Sequence, residues 1–118
     1  MPILDIEVVA LTANTNTVSQ ALADRAGKVF ESAPGRTWVK LRNLEATHYA
    51  ENQSPEAPHP VFVRVLEARP PKDDELEALI ESLTAAIADV LERPEKHVHI
   101  LIEPPALGRI SFGGKLRD

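Results

Sequence analysis

The chain has 118 residues, of which 43% are hydrophobic and 26% charged, the composition of an ordinary globular domain. Eighteen acidic against thirteen basic residues give a net charge of -5, which argues against non-specific nucleic-acid binding, since a phosphate backbone wants a basic face. Cysteine is absent, so a disulfide scaffold, a thiolate metal site and a cysteine nucleophile are excluded as well.

Residues Ile3 to Leu11 read as a strand with one polar face, Asp5 and Glu7 alternating with Leu4, Ile6 and Val8. The polar run Thr12 to Thr17 breaks it, and Thr17 with Gln20 has the form of a capping box. Val18, Ala21, Leu22, Ala26, Val29 and Phe30 follow at helical spacing until Pro34-Gly35 stops the helix. Thr37 to Leu44 is a second strand, with Val39 and Leu41 on one face and Trp38, Lys40 and Arg42 on the other. Residues 45 to 60 form a long connection of the kind that carries function or short extra strands.

The pattern then restarts. Val61 to Glu67 is a strand, and Pro70-Pro71 precedes a helix whose first turn holds Asp73, Asp74 and Glu75, as the helix dipole favours. Leu76, Leu79, Ile80, Leu83, Ile87, Val90 and Leu91 form its apolar stripe, and His97 to Glu103 is the fourth strand. The expected fold is α+β: duplicated β-α-β units, about 1–57 and 58–118 of one domain, forming a four-stranded mixed sheet with two helices on one face and short extra strands. The other sheet face mixes Asp5, Glu7, Lys40, Arg42 and Arg64 with apolar residues, which suits burial against other subunits.

No phosphate loop, dinucleotide fingerprint, zinc signature or nucleophile elbow is present. His97 and His99 are expected to share a strand face, but no third ligand lies near them in sequence, and no metal is assigned. Nothing in the chain calls for a cofactor. No apolar run approaches the ~20 residues that span a bilayer. The N-terminus lacks the basic and apolar regions of a signal peptide, so the expectation is a cytoplasmic protein without a membrane partner.

Pro2 is the residue that invites chemistry. Methionine aminopeptidase removes an initiator methionine before proline, leaving a secondary amine at the start of a buried strand. Desolvation and nearby cations disfavour the protonated amine, which suits it to general base work near neutral pH. The run from Val98 to Leu116, with its strand, its Pro104-Pro105 break and its Phe112-Gly113-Gly114 turn, resembles the tail of 4-oxalocrotonate tautomerase without a gap, and Leu66-Glu67-Ala68-Arg69 resembles that family's Leu-Glu-Gly-Arg segment. Together with Met1-Pro2 and the duplication, these residues make the chain similar to the tautomerase superfamily, in its longer branch with macrophage migration inhibitory factor and 5-carboxymethyl-2-hydroxymuconate isomerase.

The resemblance implies a homotrimer with one amino-terminal proline site per chain, working without a cofactor on a small carboxylate substrate. It gives Pro2 the catalytic role and Arg69 the grip on the carboxylate. It places Lys40 and His99 at equivalent charged positions of the two halves, and Ile110 and Phe112 at apolar pocket walls. Tyr49 and Asn52, at the corresponding hairpin after the second strand by repeat spacing, and Arg36 after Pro34-Gly35, at the pocket mouth, are further candidates. Histidine at 99 departs from the family's arginine and cannot supply its bidentate grip, which points to a different substrate. Three alternatives stay open: water addition to an unsaturated or halogenated acid, with Glu67, Glu103 or Glu51 as the activating carboxylate; a non-catalytic trimeric binding or signalling protein; and a ligand-binding β-α-β regulatory module.

Overall fold

The structure is a computed structural model, and it describes residues 1–117. Strand β1 (Ile3–Val9), helix α1 (Thr15–Val29) and strand β2 (Trp38–Leu44) form one β-α-β unit. Strand β3 (Val61–Leu66), helix α2 (Asp73–Leu91) and strand β4 (Val98–Ile102) form the second, and a small hairpin of β5 (Ser111–Phe112) and β6 (Lys115–Leu116) follows. The sheet order is β2-β1-β3-β4. Each unit pairs its own two strands in parallel, as a one-helix crossover requires, and β1 joins β3 antiparallel with Ile3 opposite Leu66 and Val8 opposite Val61. This is the expected α+β sheet with both helices on one face.

Strand alternation decides what each face holds. Leu4, Ile6 and Val8 of β1 and Val61, Val63 and Val65 of β3 are fully buried beneath Val18, Leu22 and Ala26 of α1 and Leu83, Ile87 and Ala88 of α2. The two helices lie side by side, joined at their outer edge by Arg25 and Asp89 at 2.6 Å.

The opposite face carries charged rows. Asp5 stands between Lys40 and Arg64, and Glu7 between Arg42 and Phe62. Asp5 is reached by Lys40 at 3.9 Å and by Arg42 at 3.1 Å, but its Oδ1 is buried and makes no aligned hydrogen bond, so these are charge contacts only. Arg64 donates to Glu103 at 2.7 Å. Phe62 and Leu101 stand exposed among these charges.

Three local expectations are corrected. The cap of α1 is Asn14, whose side chain accepts from the backbone N–H groups of Asn16 and Thr17, so the helix begins before Thr17 instead of being capped by it. Strand β1 stops at Val9, because Ala10 takes a left-handed conformation with φ 56° and turns the chain out of the sheet. His97 ends a short 3-10 turn, Glu95–His97, ahead of β4, so it does not share a strand face with His99.

Candidate active site

Pro2 lies just ahead of β1 with the parity of Leu4 and Ile6, so it falls on the helix side and is buried. Its carbonyl accepts from the Trp38 N–H at 3.0 Å, which ties the chain start to the head of β2. Beyond it opens a cavity of about 610 Å³, the space left where α1 ends and the chain turns back toward β2. Pro2, Phe30, Arg36, Trp38, Glu67, Phe112 and Arg117 line it, with Met1, Glu31 and Ser32 at its edge.

The C-terminal hairpin forms one wall. Gly113 and Gly114 occupy the turn with φ 61° and 87°, the left-handed pair that a two-residue hairpin turn demands. The turn sets Phe112 edge-on against Trp38, with ring centroids 5.5 Å apart. The Trp38 indole N–H is fixed by the Gly35 carbonyl at 3.0 Å. Ile110 accepts at its carbonyl from the Arg117 N–H at 2.8 Å, and this closure brings Arg117 to the cavity.

Glu67 forms another wall. Its Oε1 is buried without a hydrogen-bond partner. Burial pushes its carboxyl above the ordinary value of 4.5, and the terminal ammonium of Met1 pulls it part of the way back. The cavity therefore holds two guanidinium groups, two carboxylates and an apolar aromatic wall.

The sequence-derived candidates divide. Pro2, Arg36 and Phe112 meet in this cavity. Ile110 stays one step outside it and acts through the backbone bond to Arg117. Arg69 is exposed on the segment leaving β3, which is held by hydrogen bonds from Ala106 to Glu67 and from Leu107 to Ala68. Lys40 points to the open sheet face, toward Asp5. His99 and Tyr49 flank Phe62 at the far end of that face, with ring centroids 5.6 and 5.9 Å from it. Tyr49 donates its hydroxyl to Glu51 at 2.6 Å, and that hydrogen bond, with some burial, raises its pKa above 10.0.

Sequence spacing points to neither Trp38 nor Arg117: Trp38 reaches the cavity because it pairs with Ile3, the residue after Pro2, and Arg117 because the folded hairpin brings it back.

The second unit fills the equivalent corner. The ladder through β1 and β3 relates the corner of Pro2, the end of α1 and Glu67 to one made by His59-Pro60, the end of α2 and Val9-Ala10. Glu92 is left-handed, with φ 54°, and throws Arg93 back into that corner. Its guanidinium donates to the carbonyls of His59 at 2.5 Å, Val9 at 3.1 Å and Ala10 at 3.1 Å. Burial lowers the Arg93 pKa, yet a guanidinium stays charged throughout the usable pH range.

No protein-family model matches the sequence, and no curated protein matches it. Solved structures do. The fold is similar to a fused 4-OT wild-type symmetric trimer, with 18% identity, 98% of this chain and 94% of that chain covered, and a TM-score of 0.76. It is similar to N1, a member of the cis-3-chloroacrylic acid dehalogenase family, with 23% identity over 98% and 83% of the two chains and a TM-score of 0.73. It is also similar to a macrophage migration inhibitory factor homologue from Prochlorococcus marinus, with 14% identity over 96% of each chain and a TM-score of 0.73. The chain thus has the tautomerase-superfamily fold. Among the described residues no helix is long and apolar enough to cross a membrane.

Proposed function

We propose that the protein is a cofactor-independent keto–enol tautomerase of the cytoplasm, acting on a small 2-keto or enol carboxylic acid through the amine of Pro2 after removal of Met1. The observation that carries this reading is the placement of Pro2: a buried proline at the chain start, opening onto a cavity with an aromatic wall and two arginines. Arg36 and Arg117 hold the substrate carboxylate in this reading. Pro2 nitrogen takes the proton from the enol oxygen or the carbon next to the carbonyl, and returns it at the other position, so the reaction is a net isomerisation. The arginines also stabilise the negative charge that develops on the enolate. Trp38 and Phe112 line the cavity beside Pro2, and their apolar surface lowers the local dielectric and so strengthens the arginines' effect.

A homotrimer goes with this reading. The open face of the sheet, with Phe62 and Leu101 exposed among charged rows, is the surface that a neighbouring copy would cover. Lys40, His99 and Tyr49 lie toward that face, so they serve a Pro2 cavity only across a subunit boundary. Arg69, exposed near the exit of β3 and absent from the cavity lining, has no role in this reading.

A second reading, water addition to an unsaturated acid with protonated Pro2 as the acid, is favoured by the unpartnered Glu67 carboxylate in the same cavity. Product analysis separates the two. An isomerised keto acid supports the tautomerase, and a hydrated or dehalogenated product supports the alternative. The test of the main reading is the ultraviolet assay of phenylpyruvate or 2-hydroxydienoate ketonisation by the chain shown by mass to lack Met1. No acceleration of either substrate would overturn it.

A further inference from the structure

The cavity holds a charge that tautomerisation by Pro2 does not require. Glu67 follows β3 with the parity of Val61, Val63 and Val65, so its side chain turns toward the helix side instead of solvent. Its Oε1 is buried and unpartnered. An orphaned carboxylate oxygen is unfavourable unless a cation completes it.

The strand ladder sets what stands opposite. Ile3 pairs with Leu66, and one further step along the same register places Pro2 opposite Glu67. Both line the cavity. The Met1 ammonium already acts on the Glu67 carboxyl from the chain end. Removal of Met1 moves that positive charge onto the Pro2 nitrogen, one residue nearer to the ladder. In the second unit the residue across the ladder from Pro60 is Val9, and the Arg93 guanidinium bonds the backbone of that corner, so the carboxylate at 67 has no counterpart there.

We infer that Glu67 is the counter-charge of the mature Pro2 amine, a positioning residue that fixes where the amine gains and loses its proton. This rests on the reading that Pro2 works as a free amine, and deepens it. Other charges face the pair from each surrounding element. Arg36, ahead of β2, and Arg117, after β6, carry positive charge and oppose Glu67. Glu31, just after α1, adds negative charge at the rim. On the other side of the sheet Glu103 is engaged with Arg64, and Asp5 with Lys40 and Arg42. Glu67 is the carboxylate whose unpartnered buried oxygen lies in the Pro2 cavity, and its effect is to raise the pH at which the neutral amine appears, against the two arginines that lower it.

The test follows the Pro2 nitrogen directly. Chain labelled with nitrogen-15 in proline, with Met1 removal confirmed by intact mass, is titrated by NMR as wild type, Glu67→Gln and Glu67→Asp. The Pro2 midpoint should fall by about one unit or more in Glu67→Gln, the effect of losing an opposite charge at close range, and lie between the two in Glu67→Asp. The rising limb of kcat/KM against pH should move with it. An unchanged midpoint in folded Glu67→Gln overturns the inference. If that variant does not fold, the wild-type Glu67 side-chain carboxyl carbon gives the same decision: a titration in two steps, one at the Pro2 midpoint, upholds the pairing, and a single step overturns it. A shifted Pro2 midpoint in a chain that turns over no keto acid would contradict the enzyme reading and leave the pairing standing.

Discussion

Arg93→Ala removes the plug from the second corner of the chain. Three hydrogen bonds from one guanidinium are lost, to the carbonyls of Val9, Ala10 and His59. A hydrogen bond to a charged group contributes about 1.5–3 kcal/mol when desolvated, but Arg93 is only partly buried and water will satisfy the more open carbonyls, so the expected loss is about 2–4 kcal/mol. Ala10 is left-handed at φ 56°, and the Arg93 bond to its carbonyl helps to hold that turn. For a domain slightly above 100 residues each kcal/mol shifts Tm by about 4–5 °C, so a fall of about 8–20 °C is expected in calorimetry. Arg93→Lys keeps the charge but not the three-way geometry, and should recover less than half of the loss. Pro2 chemistry should be unaffected at temperatures where the variant is folded. A loss below about 1 kcal/mol in urea unfolding would refute the argument, because it would place Arg93 among the surface charges whose pairing contributes little.

Arg117→Ala should raise KM for a keto-acid substrate by about ten- to a hundredfold, equivalent to about 1.5–3 kcal/mol for a charged hydrogen bond, with a smaller change in kcat measured by the same ultraviolet assay. Leu101→Glu places a charge on a residue that is 53% exposed in the isolated chain, and sedimentation should show 13.0 kDa monomers in place of a trimer. In the chain that keeps Met1, the raised Glu67 carboxyl binds its proton more tightly in the folded state than in the unfolded one. Its contribution to stability is therefore greatest below the ordinary value of 4.5 and declines as pH rises through the folded value, and Glu67→Gln should abolish that decline in pH-dependent denaturation.

The fold was legible because two periodicities were clean. Alternation in Leu4, Ile6 and Val8 and in Val39 and Leu41 marks the buried sheet face, and the stripe from Leu76 to Leu91 marks the second helix. Local turn chemistry was less so. Asn14 and Thr17 are both able to cap a helix, and only the backbone decides for Asn14. The same alternation that reveals the sheet also separates the candidates. Pro2 has the parity of Leu4, whereas Lys40 stands opposite Asp5 on the other face, so the two diverge within one chain. Arg36 lies close to Pro2 because β2 starts beside β1, a local consequence of the crossover. Glu67 and Arg117 reach the same cavity through the antiparallel ladder and the returning hairpin, long-range contacts that spacing along the chain does not encode.

The central claim is that the Pro2 amine moves the proton. The most direct measurement is kcat/KM for phenylpyruvate tautomerisation by wild type and Pro2→Ala, each shown by intact mass to begin at residue 2. Pro2→Ala replaces the secondary amine with a primary one and leaves Trp38, Phe112 and the arginines in place. Because an amine remains but loses the ring that fixes it, the account predicts a clear fall in kcat/KM, up to the roughly 10²–10⁴-fold that a positioned acid–base group contributes, with an unchanged circular dichroism spectrum. Equal rates for the two proteins would contradict it.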